Sequence, residues 1–160
     1  MGALIEDTRQ QKGKHGLKAD YFESAGVRVV RCALPVGDYQ RPASVAVDTK
    51  KDIVELAMDL KKDHERFARE CRKAQSLGTR LVILVENTDG VTCLADLAEW
   101  EESDESYDRR NKGGRAVRYK GGPLAKTCET MHRAYGVMFG FCTPEESGRR
   151  VVEILDKLGG

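Results

Sequence analysis

Short apolar runs alternate with stripes of helical period along this chain, the pattern of an α/β domain. Ala3 to Glu6, closed by Asp7, reads as an opening strand that ends in a carboxylate. A helix is predicted from about Gly16 to Ala25, stopped by Gly26, and Val27, Val29 and Val30 begin a β-branched run that reaches Leu34. Pro35-Val36-Gly37-Asp38-Tyr39 reads as a turn or the start of a strand. Val45 to Lys50 follows as a strand whose period of two puts Val45, Val47 and Thr49 on one face and Ala46, Asp48 and Lys50 on the other. An acid and an amine therefore point the same way.

Asp52 caps one long predicted helix, in which Ile53, Leu56, Ala57, Leu60, His64, Phe67, Cys71 and Ala74 recur at steps of three and four up to Gly78. His64 is expected to be semi-buried on that stripe. Arg80 to Glu86 is the most apolar short run and reads as a strand buried on both faces. A short helix is expected from Thr92 to Trp100, with Trp100 in the core. Residues 101 to 122 lack periodicity and carry two Gly-Gly pairs, so they read as a long charged loop inserted in the domain. Pro123 opens a helix as its first residue, with Leu124, Cys128, Met131 and Tyr135 on one face. Val137 to Cys142 is the last strand. Thr143-Pro144-Glu145-Glu146 has the sequence of a capping box ahead of a closing helix. The expected product is a single α/β domain over 1–160, a mixed central sheet flanked by helices.

Composition narrows the function. With 160 residues, 40% apolar and 33% charged, the chain suits one folded domain and excludes wholesale disorder. No apolar run approaches the roughly 20 residues of a membrane span, and the amino terminus lacks the features of a secretory signal. Five cysteines, the closest pair 14 positions apart, argue against a zinc knuckle or disulfide framework and for a reducing compartment. The cysteines are expected to be small buried apolar groups. A cytoplasmic or nucleoid-associated protein, not secreted and with no membrane partner, is the expectation. A phosphate-cradling GxxxxGK[ST] sequence is missing, which disfavours nucleotide hydrolysis. The net charge of +1 hides an asymmetry: Asp96 to Asp108 holds seven acids and no Lys or Arg, whereas Arg109 to Arg133 holds eight cations and one acid. The basic stretch either grips a phosphate backbone or is neutralised by the acidic stretch in a solvated loop. Tyr107 and Tyr119, which flank it, either stack on unpaired bases or pack the loop.

The candidate chemistry lies in Asp38, Asp48 and Lys50. Carboxylate oxygens are hard ligands for magnesium, which lowers the pKa of a bound water and offsets charge on a scissile phosphate. A neighbouring lysine orients that water or stabilises the oxyanion. An acid-x-Lys triplet alone is weak, since this composition yields about two by chance and the chain has two. The second, Asp59-Leu60-Lys61, reads as a solvated pair on the long helix. Asp48 and Lys50 differ in having an apolar strand behind them, a Gly-Asp turn ten residues earlier and a helix directly after.

In their order, Ile5-Glu6-Asp7-Thr8-Arg9, Val36-Gly37-Asp38-Tyr39, Val47-Asp48-Thr49-Lys50 and a later apolar strand ending Val85-Glu86 resemble the XPF-type nuclease domain of the PD-(D/E)XK superfamily. The resemblance spans nearly the whole chain outside about 96 to 122. It implies a restriction-endonuclease-like fold and a Mg2+- or Mn2+-dependent DNA endonuclease acting on branched, flap or junction DNA. Within it, Asp38, Asp48 and the backbone carbonyl of Thr49 would be metal ligands, Lys50 the catalytic lysine, and Asp7 and Arg9 the acid and base at the mouth of the site. Arg9, Arg115, Arg118, Lys120 and Lys126 would contact the nucleic acid. Asp48 stands where the family has Glu, Thr49 where it has Arg, Gln10 where it has Glu, and the trailing Asp of the motif has no match at its spacing. With no helix-hairpin-helix module in the sequence, a stand-alone nuclease domain is expected, as a homodimer or with a separate DNA-binding partner. The alternatives are a non-catalytic DNA-binding scaffold that has lost the chemistry, and a restriction-like or junction-resolving nuclease of a virus or mobile element.

Overall fold

The computed structural model describes residues 3–11, 13–41 and 45–159. In chain order the elements are β1 (Leu4–Asp7), α1 (Gly16–Ser24), β2 (Val29–Cys32), β3 (Tyr39–Arg41), β4 (Val45–Lys50), α2 (Ile53–Lys61), α3 (His64–Ser76), β5 (Arg80–Glu86), α4 (Leu94–Ala98), α5 (Asp104–Arg110), α6 (Gly121–Tyr135), β6 (Met138–Cys142) and α7 (Ser147–Gly159). The strands form one mixed sheet in the order β2-β1-β3-β4-β5-β6. β3 runs antiparallel to β1 and β4, and the remaining neighbours are parallel.

The period of two in β4 divides the core as its sequence requires. Ala46 joins Ile83, Val85 and the apolar stripes of α2, α3 and α6 on one face. Val45 and Val47 join Phe22 of α1 and Val151 and Leu155 of α7 on the other. β5 has buried residues on both sides, which explains its uninterrupted apolar run. β4 is antiparallel to β3 on one side and parallel to β5 on the other, with Tyr39 opposite Val47 and Lys50 beside Val85. Beyond the end of the short β3 ladder the carboxyl-terminal half of β4 borders an open space. The space lies at the carboxyl ends of β1, β4 and β5, the end at which open α/β sheets bind ligands. Among the described residues no helix is long and apolar enough to cross a membrane.

Several expectations need correction. The helix expected from Asp52 to Gly78 is two, α2 and α3. Lys62 and Asp63 both donate to the Met58 carbonyl at 2.9 Å, and Asp63 leaves helical geometry with φ −107° and ψ 28°. The apolar stripe continues because both halves cover the same sheet, but His64, first in α3, is exposed rather than semi-buried. The expected loop at 101–122 contains α5 and a bridge between Glu101 and Lys120. α6 begins at Gly121, so Pro123 is its third residue. Gly121 sits so close to α4 that an added Cβ would meet the Leu97 carbonyl oxygen, and its N–H donates to Trp100 O at 2.7 Å. Finally, Cys71, Cys128 and Cys142 are buried as expected, but Cys32 and Cys93 are exposed, and Trp100 is only half-buried, donating to Asp89 at 2.9 Å.

The 101–120 segment is held by charge instead of apolar periodicity, and α5 has no buried residue. The Glu102 carboxylate is fully enclosed and accepts bonds from Arg110 Nε at 2.7 Å, Ser106 Oγ at 2.8 Å and Tyr119 N at 3.1 Å. Arg118 pairs with Asp104 at 2.7 Å and donates to Glu102 O. The guanidinium of Arg110 stacks on Tyr119 and that of Arg118 on Tyr107. Glu102, Asp104 and Glu105 of the acidic run therefore pair with Arg110, Arg118 and Arg109 of the basic run in one folded unit, and both tyrosines are engaged within it.

Candidate active site

The Gly-Asp turn is pressed against β4 by backbone geometry. Gly37 has φ +76°, and a Cβ there would come within 3.0 Å of Ala46 Cβ and 3.2 Å of Val47 O. Only glycine takes that conformation without strain. Glu70 of α3 accepts from Gly37 N at 3.3 Å, and Asp38 N donates to Val47 O at 2.8 Å. Asp38 is thereby laid along β4, where its Oδ2 accepts from Thr49 N at 2.7 Å and Thr49 Oγ1 at 3.0 Å. Thr49, standing where the resembled family has Arg, braces this carboxylate.

Asp48 and Lys50 project together from the opposite face of β4, as alternation requires. Both are buried, and Lys50 Nζ lies 2.9 Å from Asp48 Oδ2. That oxygen has an ionic partner yet no hydrogen-bond donor in line with it. Lys50 Nζ also lies 2.5 Å from Asp59 Oδ2. Asp59 is 6% exposed, so the expectation that it forms a solvated pair with Lys61 is corrected: it faces the sheet from α2 and bonds the lysine of the other triplet.

The electrostatics follow from crowding. Burial pushes the Asp48 carboxyl up to about 7, against the pull of Lys50 and with the added repulsion of Asp38, which is within hydrogen-bond reach. Burial works against the Lys50 charge too, but the Asp48 and Asp59 carboxylates outweigh it and hold the ammonium above its ordinary range. Burial also raises Glu55 and Glu70. Asp38, Asp48, Lys50, Glu55 and Glu70 line an open cleft of about 700 Å3 with Asp7, Arg9, His15, Lys18, Lys51 and Glu86.

The sequence reading missed one ion pair of this cleft. Lys18 of α1 and Glu86 at the end of β5 form a buried pair at 2.6 Å. His15 sits above them, held below its ordinary pKa first by burial and then by the Lys18 charge. A half-polar residue in a weakly patterned helix gave no local signal for Lys18, and Glu86 was legible only as the end of a strand.

Asp7 reaches the cleft from the end of β1, and its N–H donates to Asp38 O at 2.7 Å. Its carboxylate is 4% exposed and is taken up by Arg9 Nε at 2.6 Å and the N–H groups of Arg9 and Leu34. Arg9 is exposed at the rim and also bonds Leu34 O. Asp38, Asp48, Thr49, Lys50, Asp7 and Arg9 thus converge. Arg115, Arg118, Lys120 and Lys126 do not line the cleft: Arg118 is pinned inside the 101–120 unit, and the other three are exposed outside it.

Among the described residues no group of three or more His, Cys, Asp or Glu side chains converges as a ready metal cage. Two carboxylates are nonetheless a sufficient protein share for magnesium, which keeps several waters. Asp48 Oδ2, buried beside Asp38 without an aligned donor, fits that requirement.

The ERCC4 domain model matches residues 6–135, from β1 to the end of α6. The chain belongs to the ERCC4 domain family. No curated protein sequence matches it. Among solved structures, this ERCC4 domain is similar to XPF from Aeropyrum pernix, with a TM-score of 0.66 and 16% identity over 99% of this chain and 62% of that one. It is likewise similar to XPF from Aeropyrum pernix in complex with DNA, with a TM-score of 0.66 and 19% identity over 99% of this chain and 65% of that one. The ERCC4 domain described here thus spans less than two thirds of those chains and shares their restriction-endonuclease-like fold.

Proposed function

We propose that this chain is a divalent-metal-dependent DNA endonuclease that hydrolyses phosphodiester bonds in branched, flap or junction DNA. The observation that carries this reading is the convergence of Asp38, Asp48 and Lys50 at a strand end in an open cleft, with a buried Asp48 oxygen lacking an aligned donor. Membership of the ERCC4 family supports DNA as the substrate, as does the structural likeness to a protein recorded in complex with DNA.

Asp38 and Asp48 would hold Mg2+ or Mn2+. The Thr49 N–H points at Asp38, and a residue in a strand turns its N–H and C=O to the same side, which supports the Thr49 carbonyl as a third ligand. The bound ion supplies a lowered water pKa and charge neutralisation at the phosphate. Lys50, fixed as an ammonium beside Asp48, orients the attacking water and offsets charge on the phosphoryl oxygens. Asp7, already engaged by Arg9, keeps the end of β1 against Asp38 and presents Arg9 at the rim to a substrate phosphate. Arg115, Lys120 and Lys126, exposed beyond the cleft, would meet the DNA backbone further from the cut.

The test is cleavage of labelled duplex, single-stranded, flap and four-way-junction DNA with magnesium, manganese or chelator, comparing wild type with Asp48→Ala. Metal-dependent cutting lost in the variant is the expected result. Tight binding without cutting under every metal would favour the scaffold reading instead.

A further inference from the structure

The apolar stripe of α2 comprises Ile53, Leu56, Ala57 and Leu60, all buried, and Asp59 is buried among them. A carboxylate there is disfavoured unless its charge is met. Its two oxygens have different partners. Oδ2 is 2.5 Å from Lys50 Nζ, and Oδ1 is 3.1 Å from Arg66 of α3, which reaches back across the break between the helices and also touches Asp63 at 3.5 Å. The ammonium of Lys50 is thus held between carboxylates from a strand and a helix, Asp48 on one side and Asp59 on the other.

A buried ionic chain of this kind adds little stability compared with apolar packing, but it fixes the position of its members. Lysine otherwise carries a flexible four-carbon stem with about 2 kcal/mol of rotamer entropy. With Asp48 alone as partner, Nζ could swing with that stem; a second anchor on a different element removes the freedom. The break between α2 and α3 brings Arg66 onto the outer oxygen of Asp59.

We infer that Asp59 is a positioning residue for Lys50, with Arg66 as its counter-charge. The inference rests on the nuclease reading above for what the positioned lysine does, and on distances alone for the anchoring. Asp59 touches neither substrate nor metal in this account and acts through Lys50.

The experiment compares wild type, Asp59→Asn and Arg66→Gln, each shown folded by circular dichroism and thermal melting, in two assays. The first is steady-state cleavage of a flap substrate with Mg2+. The second is acylation of Lys50 by a small N-hydroxysuccinimide ester, quantified by mass spectrometry without DNA or metal. Asp59→Asn is expected to lower kcat by about 10- to 100-fold with KM unchanged, the scale for loss of an orienting partner. It is also expected to raise Lys50 acylation. Arg66→Gln, which leaves Asp59 in place, shifts both readouts in the same direction by less. A lower melting temperature with unchanged kcat and unchanged acylation means a structural role only and overturns the inference. If Asp59→Asn does not fold, the Arg66→Gln pair of readouts decides by the same criteria. If wild type cuts no DNA with any divalent metal, the nuclease reading fails by itself, and Lys50 acylation still decides whether Asp59 anchors the lysine.

Discussion

Replacing Asp48 by Asn should make the metal-free protein more stable while removing its activity. Asp48 is buried and its carboxyl is pushed from 3.8 up to about 7, a raise that already includes the attraction of Lys50. At about pH 8 the folded protein therefore holds an ionised group that it would rather keep protonated, whereas the unfolded chain ionises it freely. Each pKa unit corresponds to 1.36 kcal/mol, so the cost is at most about 4 kcal/mol. Relaxation and water penetration reduce this to about 2 kcal/mol in expectation. The sign follows from proton counts: between the unfolded and folded pKa values the native state binds the extra proton, so wild-type stability falls as pH rises from about 4 to 7 and then levels off. Asn carries no such titration, and Glu55 and Glu70, which the Asp48 charge repels in wild type, are raised less in the variant, a change of the same sign. Urea denaturation in chelator at about pH 5, 6, 7 and 8 is the assay. A midpoint about 1 M higher for Asp48→Asn at pH 8 is expected, with the gap narrowing towards pH 5. A variant less stable than wild type at pH 8, or a gap independent of pH, would refute the reasoning.

Three further outcomes follow from the same geometry. Metal binding must displace the proton that burial keeps on the Asp48 carboxyl, so Mn2+ affinity measured by calorimetry should rise about fivefold from pH 6 to 7 and about twofold more by pH 8, with about one proton released at pH 6; equal affinity at pH 6 and 7 would contradict it. Gly37→Ala forces a Cβ into a left-handed turn 3.0 Å from Ala46 Cβ and should lower stability by about 2 kcal/mol in denaturant unfolding. Glu102→Gln removes the charge that gathers Arg110, Ser106 and Tyr119, and trypsin should then cut between Arg109 and Lys120 at least several-fold faster while the rest of the domain stays folded.

The sheet was legible because its strands carry their own patterns: the alternation in Val45 to Lys50 placed Asp48 beside Lys50, and the solid apolar run of β5 placed it between layers. The turn at Gly37-Asp38 was legible through its residue types, though the reason for glycine, the closeness of Ala46, is tertiary. Asp59 was not, because a buried acid has the same letter and local spacing as a solvated one, and only the packing of α2 on β4 distinguishes them. The Lys18–Glu86 pair, 68 positions apart, left no local trace. The break after Lys61 hid because the apolar stripe stays in phase across it. The 101–120 unit hid because charge pairs and cation–π stacks hold it without a periodic apolar face.

The central claim is that Asp38, Asp48 and Lys50 form a hydrolytic site, and single-turnover cleavage of a labelled flap substrate by wild type and Lys50→Met tests it most directly, with binding of the same DNA measured in chelator. Wild type should cut only when Mg2+ or Mn2+ is present, and Lys50→Met should bind the DNA equally well and cut it about 100-fold more slowly or worse. Equal cutting by the two proteins, or a wild type that binds tightly and cuts with no divalent metal, would contradict the account.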